Sequence, residues 1–180
     1  MPSAGAQAWC RLGLWALARG DEAGVRAWWG RVRSARGDRP EFNADDRAMC
    51  AGMLEAWLGA RTQGTQATRL LDRLDSLYLD SDVLQDWPVD NLVLARLREA
   101  VGDEAGAARV IGRVPVALPI TPGYRSTYLR EQGRIWLEAG DTAEAVRALR
   151  RYVALRAGAE PGLRGQVDSA RIRLAGLVGR

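Results

Sequence analysis

A glycine–aspartate pair, followed one residue later by alanine, occurs three times in this chain. The copies are Gly20-Asp21-Glu22-Ala23, Gly102-Asp103-Glu104-Ala105 and Gly140-Asp141-Thr142-Ala143, with a blurred fourth at Gly64-Thr65-Gln66-Ala67. From Gly20 to Gly64 is 44 residues, and from Gly64 to Gly102 and from Gly102 to Gly140 is 38 each. Glycine closes a helix because it adopts the left-handed conformation without steric cost. Aspartate caps the following helix by accepting hydrogen bonds from its free N–H groups. Each copy therefore reads as the bend of a helix hairpin. A hairpin with one apolar side cannot bury it alone, but stacked hairpins can, and a fixed period of this length is the signature of such a stack.

The flanking residues support the reading. Ala145, Leu149, Tyr152 and Val153 fall on one helical face after the last bend, and Leu129, Gly133, Trp136 and Leu137 form a stripe before it. Around Gly20 the stripes are Trp9, Leu12 and Leu17, then Val25, Trp29 and Val32; around Gly102 they are Leu94 and Leu97, then Ala107, Ile111 and Val114. The second pair has Met49, Met53, Ala56 and Trp57 before a turn between Thr62 and Thr65, and Ala67, Leu71 and Leu74 after it. Breakers at 36–46, 80–90 and 114–123 separate the pairs; the last contains Pro115, Pro119 and Pro122 and cannot be continuous helix. An amphipathic helix after Pro161, with Val167, Ala170, Leu174 and Leu177 on one side, closes the series. The expected fold is all-α: a right-handed α-solenoid of about four antiparallel hairpins plus a capping helix. It is one domain over 1–180, with repeats at 5–36, 45–79, 88–114 and 124–157 and the cap at 161–178.

Composition narrows the chemistry. The chain has no histidine, and all 26 basic residues are arginine. Without lysine there is no phosphate-loop lysine and no Schiff base, and without histidine no Ser-His-Asp or Cys-His pair and no imidazole metal ligand. Enzyme activity would have to rest on carboxylates, and no carboxylate pair has a reason to share a closed pocket; Glu131 and Glu138 stand two turns apart on one helix. No catalytic residue, cofactor or metal is expected. The net charge of +4 is unevenly spread, with aspartates in the middle and arginines from Tyr124 onward. The aspartates at 72–90 are expected to form a solvated face. Asp80, Asp82 and Asp86 lack the glycine and glutamate of a calcium loop. Arg31, Arg33, Arg36 and Arg39 make a small basic patch diluted by Asp38 and Glu41, so nucleic acid is not the expected partner. No apolar run reaches membrane-spanning length, and the N-terminus makes a poor signal peptide, which points to the cytoplasm. Cys10 and Cys50 are too few for a disulfide framework, and free buried thiols are expected. Most of the seven tryptophans sit on core stripes. Trp28 and Trp29 are adjacent and point about 100° apart on a helix, so one of them is a candidate interface residue.

The pattern resembles a degenerate tetratricopeptide repeat. Trp9, Leu12 and Gly13 stand at the W-x-x-L-G spacing of its first helix, and Gly133 and Trp136 match the same glycine and aromatic points. Ala145, Leu149 and Tyr152 match the small and large points of its second helix, as do Ala67, Leu71 and Leu74, and Ala107, Ile111 and Val114. Val25 departs from the small alanine, and the period exceeds the usual 34 or so. The resemblance implies a protein- or peptide-binding scaffold whose first helices line a groove. Carried over residue by residue, the groove comprises Gln7, Leu14, Arg96, Glu99, Thr127, Arg130, Arg134 and Glu138. Its arginines would hold an acidic peptide or a C-terminal carboxylate, unless they pair with Glu99, Glu131 and Glu138. An exposed apolar N-terminal helix would offer a homodimer surface. The chain is also similar, more loosely, to helical C-terminal regions of bacterial serine/threonine kinases and transcriptional regulators, which implies a regulatory or sensory tail as the alternative function.

Overall fold

The computed structural model describes residues 5–35, 43–60, 64–80, 88–113 and 122–179, with the backbone alone for 88–90, 122 and 123. Among the described residues the chain is all-α, with no strand. The helices are α1 Gly5–Ala18, α2 Glu22–Ser34, α3 Ala44–Ala60, α4 Gly64–Asp80, α5 Pro88–Ala100, α6 Glu104–Ile111, α7 Pro122–Glu138, α8 Thr142–Leu155 and α9 Pro161–Val178.

The three glycine–aspartate bends share one hydrogen-bond pattern. Gly20, Gly102 and Gly140 have φ of 70°, 78° and 83°. In each, the glycine N–H donates to the carbonyl three residues back: Leu17 at 3.0 Å, Glu99 at 2.9 Å and Leu137 at 3.1 Å. The aspartate N–H donates to the carbonyl five residues back: Ala16 at 3.0 Å, Arg98 at 2.9 Å and Trp136 at 2.8 Å. Two carbonyls that a helix end leaves unpaired are thereby satisfied. Asp21 and Asp141 then cap α2 and α8, each accepting at 3.0 Å from the N–H three residues on, Gly24 and Glu144 respectively. The second bend, expected between Thr62 and Thr65, falls partly outside the described residues; α4 already begins at Gly64.

The chain divides into two compact units, Met1–Asp103 and Glu104–Arg180. In the first, α1 packs on α2 and α3 on α4; α3 also contacts both helices of the first pair, and α5 contacts both of the second. Cys10, Ala16, Val25, Val32, Cys50 and Leu54 form one buried cluster. Met49, Met53, Leu71, Leu74, Leu94 and Leu97 are buried in the same unit. Gly13 marks one close approach between hairpins: a β-carbon there would lie 2.6 Å from Leu54 Cδ1. The expectation of free thiols fails here. Cys10 of α1 and Cys50 of α3 form a disulfide, with their Cα atoms 5.9 Å apart. Their separation of 40 residues is close to the spacing of the bends, so equivalent faces of successive hairpins bring them together. Leu12, placed on the core stripe by the sequence, is instead 40% exposed, because α1 turns Trp9, Cys10, Gly13 and Leu17 inward.

In the second unit α7 packs on α8, α6 on α7 and α9 on α8. Leu129, Leu149, Tyr152, Val167 and Ala170 form its cluster. A β-carbon on Gly133 would lie 2.6 Å from Leu149 Cγ. Tyr128, Gln132 and Trp136, at i, i+4 and i+8 on α7, serve the carbonyls at the end of α6. The Tyr128 hydroxyl donates to Arg113 O at 2.7 Å, Gln132 Nε2 to Ile111 O at 2.8 Å and Trp136 Nε1 to Ala108 O at 3.2 Å. The capping helix α9 spans the residues the sequence assigns to it. Val114 and most of the proline-rich stretch lie outside the described residues.

Candidate protein-binding surfaces

The α7 face carries four of the anticipated groove residues. Thr127, Arg130 and Arg134 are half-buried and Glu138 is exposed. Arg134 sits between two carboxylates. Its Nε and Nη2 donate to Glu131 Oε2 at 3.2 and 3.1 Å, and its Nη1 donates to Glu138 Oε2 at 2.7 Å. Arg130 donates to Gln166 of α9 at 2.5 Å and lies 3.5 Å from Glu131. Glu131 is buried. Two arginines thus meet two glutamates, and an incoming carboxylate would have to displace a buried one that is already paired. The other anticipated groove residues belong to the first unit. Gln7 and Leu14 are half-buried, Leu14 packing against the core cluster, while Arg96 is exposed and Glu99 half-buried.

Trp28 and Trp29 both pack half-buried against the first unit's core. Each is covered by an arginine: Arg31 lies 4.7 Å from the Trp28 ring centroid and Arg33 4.9 Å from that of Trp29. Cation–π distances of this kind are attractive.

The sequence offered an exposed apolar N-terminal helix as a homodimer surface without naming its residues, and the outer face of α1 supplies them. Ala8, Leu12, Trp15 and Arg19 repeat at i, i+4, i+7 and i+11 and are all exposed. Trp15 is 58% exposed, and Arg19 stacks over its ring at 4.5 Å. Neither Arg11 nor Arg19 has a carboxylate partner among the described residues. The face combines an aromatic, a leucine and two cations. The available signal was the period of Leu12 and Trp15, which places them off the stripe of Gly13 and Leu17.

A buried charge escaped the sequence reading. Arg98 on α5 is 2% exposed. Its guanidinium meets Asp103 at 2.5 Å, Asp72 at 3.0 Å and Asp75 at 3.5 Å. Burial alone would lower its pKa, but the hydrogen bonds to Asp103 and Asp72 and the charge of Asp75 outweigh that and raise it. Asp72 and Asp75, expected on a solvated acidic face, hold this cation. At the start of α3, Asn43 Oδ1 accepts from Asp45 and Asp46 N–H while Asp46 Oδ2 accepts from Asn43 N–H at 2.9 Å, a reciprocal cap.

Among the described residues no group of three or more metal-ligating side chains is placed to hold an ion, and no helix is long and apolar enough to cross a membrane. Asp82 and Asp86 lie outside the described residues. Compared with protein-family models, curated proteins and solved structures, the chain matches none. Its class is defined by its own geometry, which is all-α among the described residues.

Proposed function

We propose that this chain is a non-catalytic helical scaffold that binds another protein or peptide, and that it does so through the outer face of α1. The observation that carries this reading is Trp15, 58% exposed beside Leu12 at 40%, with Arg11 and Arg19 flanking them. Tryptophan and arginine are the residue types that dominate binding energy at protein interfaces. Singly scattered apolar residues need no explanation, but here an aromatic, a leucine and two cations without a carboxylate partner among the described residues share one helical face. The partner that fits is an apolar segment bearing acidic groups. The α7 face, with its charges balanced internally, is the weaker candidate for such a partner. The reading is also supported by where the carboxylates are spent: Asp72, Asp75 and Asp103 on Arg98, and Glu131 and Glu138 on Arg134.

The test is affinity capture from a native extract with three proteins of equal helicity: the parent, Leu12→Ser/Trp15→Ala, and Arg130→Ala/Arg134→Ala. A partner retained by the parent and the arginine variant but lost by the α1 variant supports the assignment. Loss only in the arginine variant would return the interface to the α7 groove.

A further inference from the structure

The corner between α8 and α9 contains a cleft of about 350 Å³, lined by Arg156, Gly158, Arg164, Val167, Asp168 and Arg171. Three arginines line this cleft together with one aspartate. Asp168 pairs with Arg171 at 2.9 Å. Arg156 bonds no carboxylate among the described residues; its Nη2 donates at 2.5 Å to the hydroxyl of Ser126, a buried residue of α7. Arg164 has no carboxylate partner among the described residues.

The arrangement is built, not scattered. Arg164, Asp168 and Arg171 stand at i, i+4 and i+7 and so share one face of α9. Arg156 is the residue at which α8 ends, and its N–H donates to Tyr152 O at 3.0 Å. Ser126 then fixes the direction of its side chain. A cleft with three cations and one anion keeps two positive charges unmatched. Like charges gathered this way repel, and a dianion relieves the repulsion. A phosphate monoester carries about −1.5 to −2 at pH 7 and offers three acceptor oxygens, which arginine forks engage bidentately. A carboxylate brings one charge and would leave a cation unmatched.

We infer that the α8–α9 corner is a binding site for the phosphate monoester of a small molecule, held by Arg156, Arg164 and Arg171. This assignment is independent of the α1 surface. The test is calorimetric titration of the intact chain at low ionic strength with inorganic phosphate, O-phosphoserine and acetate. Two variants with exposed substitutions on α9 accompany it, Arg164→Gln inside the cleft and Arg173→Gln outside it, with helicity checked by circular dichroism. Saturable binding of phosphate and phosphoserine in mutual competition is expected, about tenfold or more weaker in Arg164→Gln and unchanged in Arg173→Gln. The assignment is overturned by absence of saturable binding at millimolar phosphate, by indifference to Arg164→Gln, or by acetate binding as well as phosphate. Rejection of phosphoserine overturns the monoester. A phosphoserine peptide that binds more tightly than phosphoserine itself would move the phosphate onto a protein and overturn the small-molecule assignment.

Discussion

Gly13 and Gly133 stand seven residues before Gly20 and Gly140, and Ala95 stands seven before Gly102. All three are buried. Gly133 lets α7 and α8 approach, Gly13 faces Leu54 of α3 and Trp28 of α2, and the later glycine ends the first helix at each bend. Both roles were legible, because a missing side chain and a positive φ leave a glycine in the sequence. Their consequences differ from those of glycines in open space. Gly133→Ala should cost about 1–3 kcal/mol, since its new methyl would overlap Leu149 and force a shift. Gly165→Ala on α9 meets nothing within 4 Å and should stabilise by about 0.5–1 kcal/mol through helix propensity. Urea unfolding of both variants checks the contrast, and equal effects would contradict it. Asp46 makes a pH-dependent prediction. Burial, chiefly, raises its pKa above the ordinary 3.8, with Asp45 adding to the shift and the hydrogen bond from Asn43 opposing it. A carboxyl raised in the fold costs nothing below 3.8 and destabilises as pH climbs through its folded value. Asp46→Asn keeps an oxygen to accept from Asn43, so its stability relative to the parent should rise between acid and neutral pH. Denaturation curves across that window that run parallel for the two proteins would refute it.

At the scale of elements, the hairpins were readable and the contacts between them less so. Periodicity identifies which face of a helix is apolar, but it says nothing about which polar residue on that face finds a buried partner. Arg98 illustrates the gap. It stands four residues before its bend glycine, where the other bends have Ala16 and Trp136, and only the placement of α4 beside α5 brings Asp72 and Asp75 to it. Truncating one partner of a buried ion cluster strands the others, so Arg98→Ala should cost about 3–5 kcal/mol, and Arg98→Met, which refills the volume, should cost less. Chemical denaturation distinguishes the two; equal losses would mean that volume is not the issue. Tyr128, Gln132 and Trp136 make the same point in the second unit. Their spacing on α7 was visible, but the carbonyls they serve come from the end of α6. On α1 a one-step difference in phase separates Leu12 from Gly13, and with it the exposed face from the buried one.

At the scale of the whole molecule, all-helical character follows directly from the repeated bends, while the cross-link between hairpins does not. Two cysteines read one at a time look like small apolar residues. Read against the repeat they stand one helical turn apart in register, ten residues before Gly20 and fourteen before Gly64 and so on the same helix face, and Cys10 and Cys50 join α1 to α3. Closing a loop of 40 residues stabilises by about 4 kcal/mol on the chain-entropy estimate. Reductant, or the Cys10→Ser/Cys50→Ser variant, should lower the stability of the first unit by that order. A melting temperature indifferent to reductant would contradict the bond. Disulfides persist in oxidising compartments, so non-reducing mass analysis of the native protein bears on its location as well. The outer face of α1 belongs to this cross-linked hairpin pair, and its role in binding is the central functional claim. The most direct measurement replaces Trp15 in one protein and Arg134 in another with a photoreactive phenylalanine analogue and compares the adducts formed in a native extract. A discrete partner adduct from position 15, absent from position 134, is the expected result. An adduct from position 134 alone would contradict the assignment.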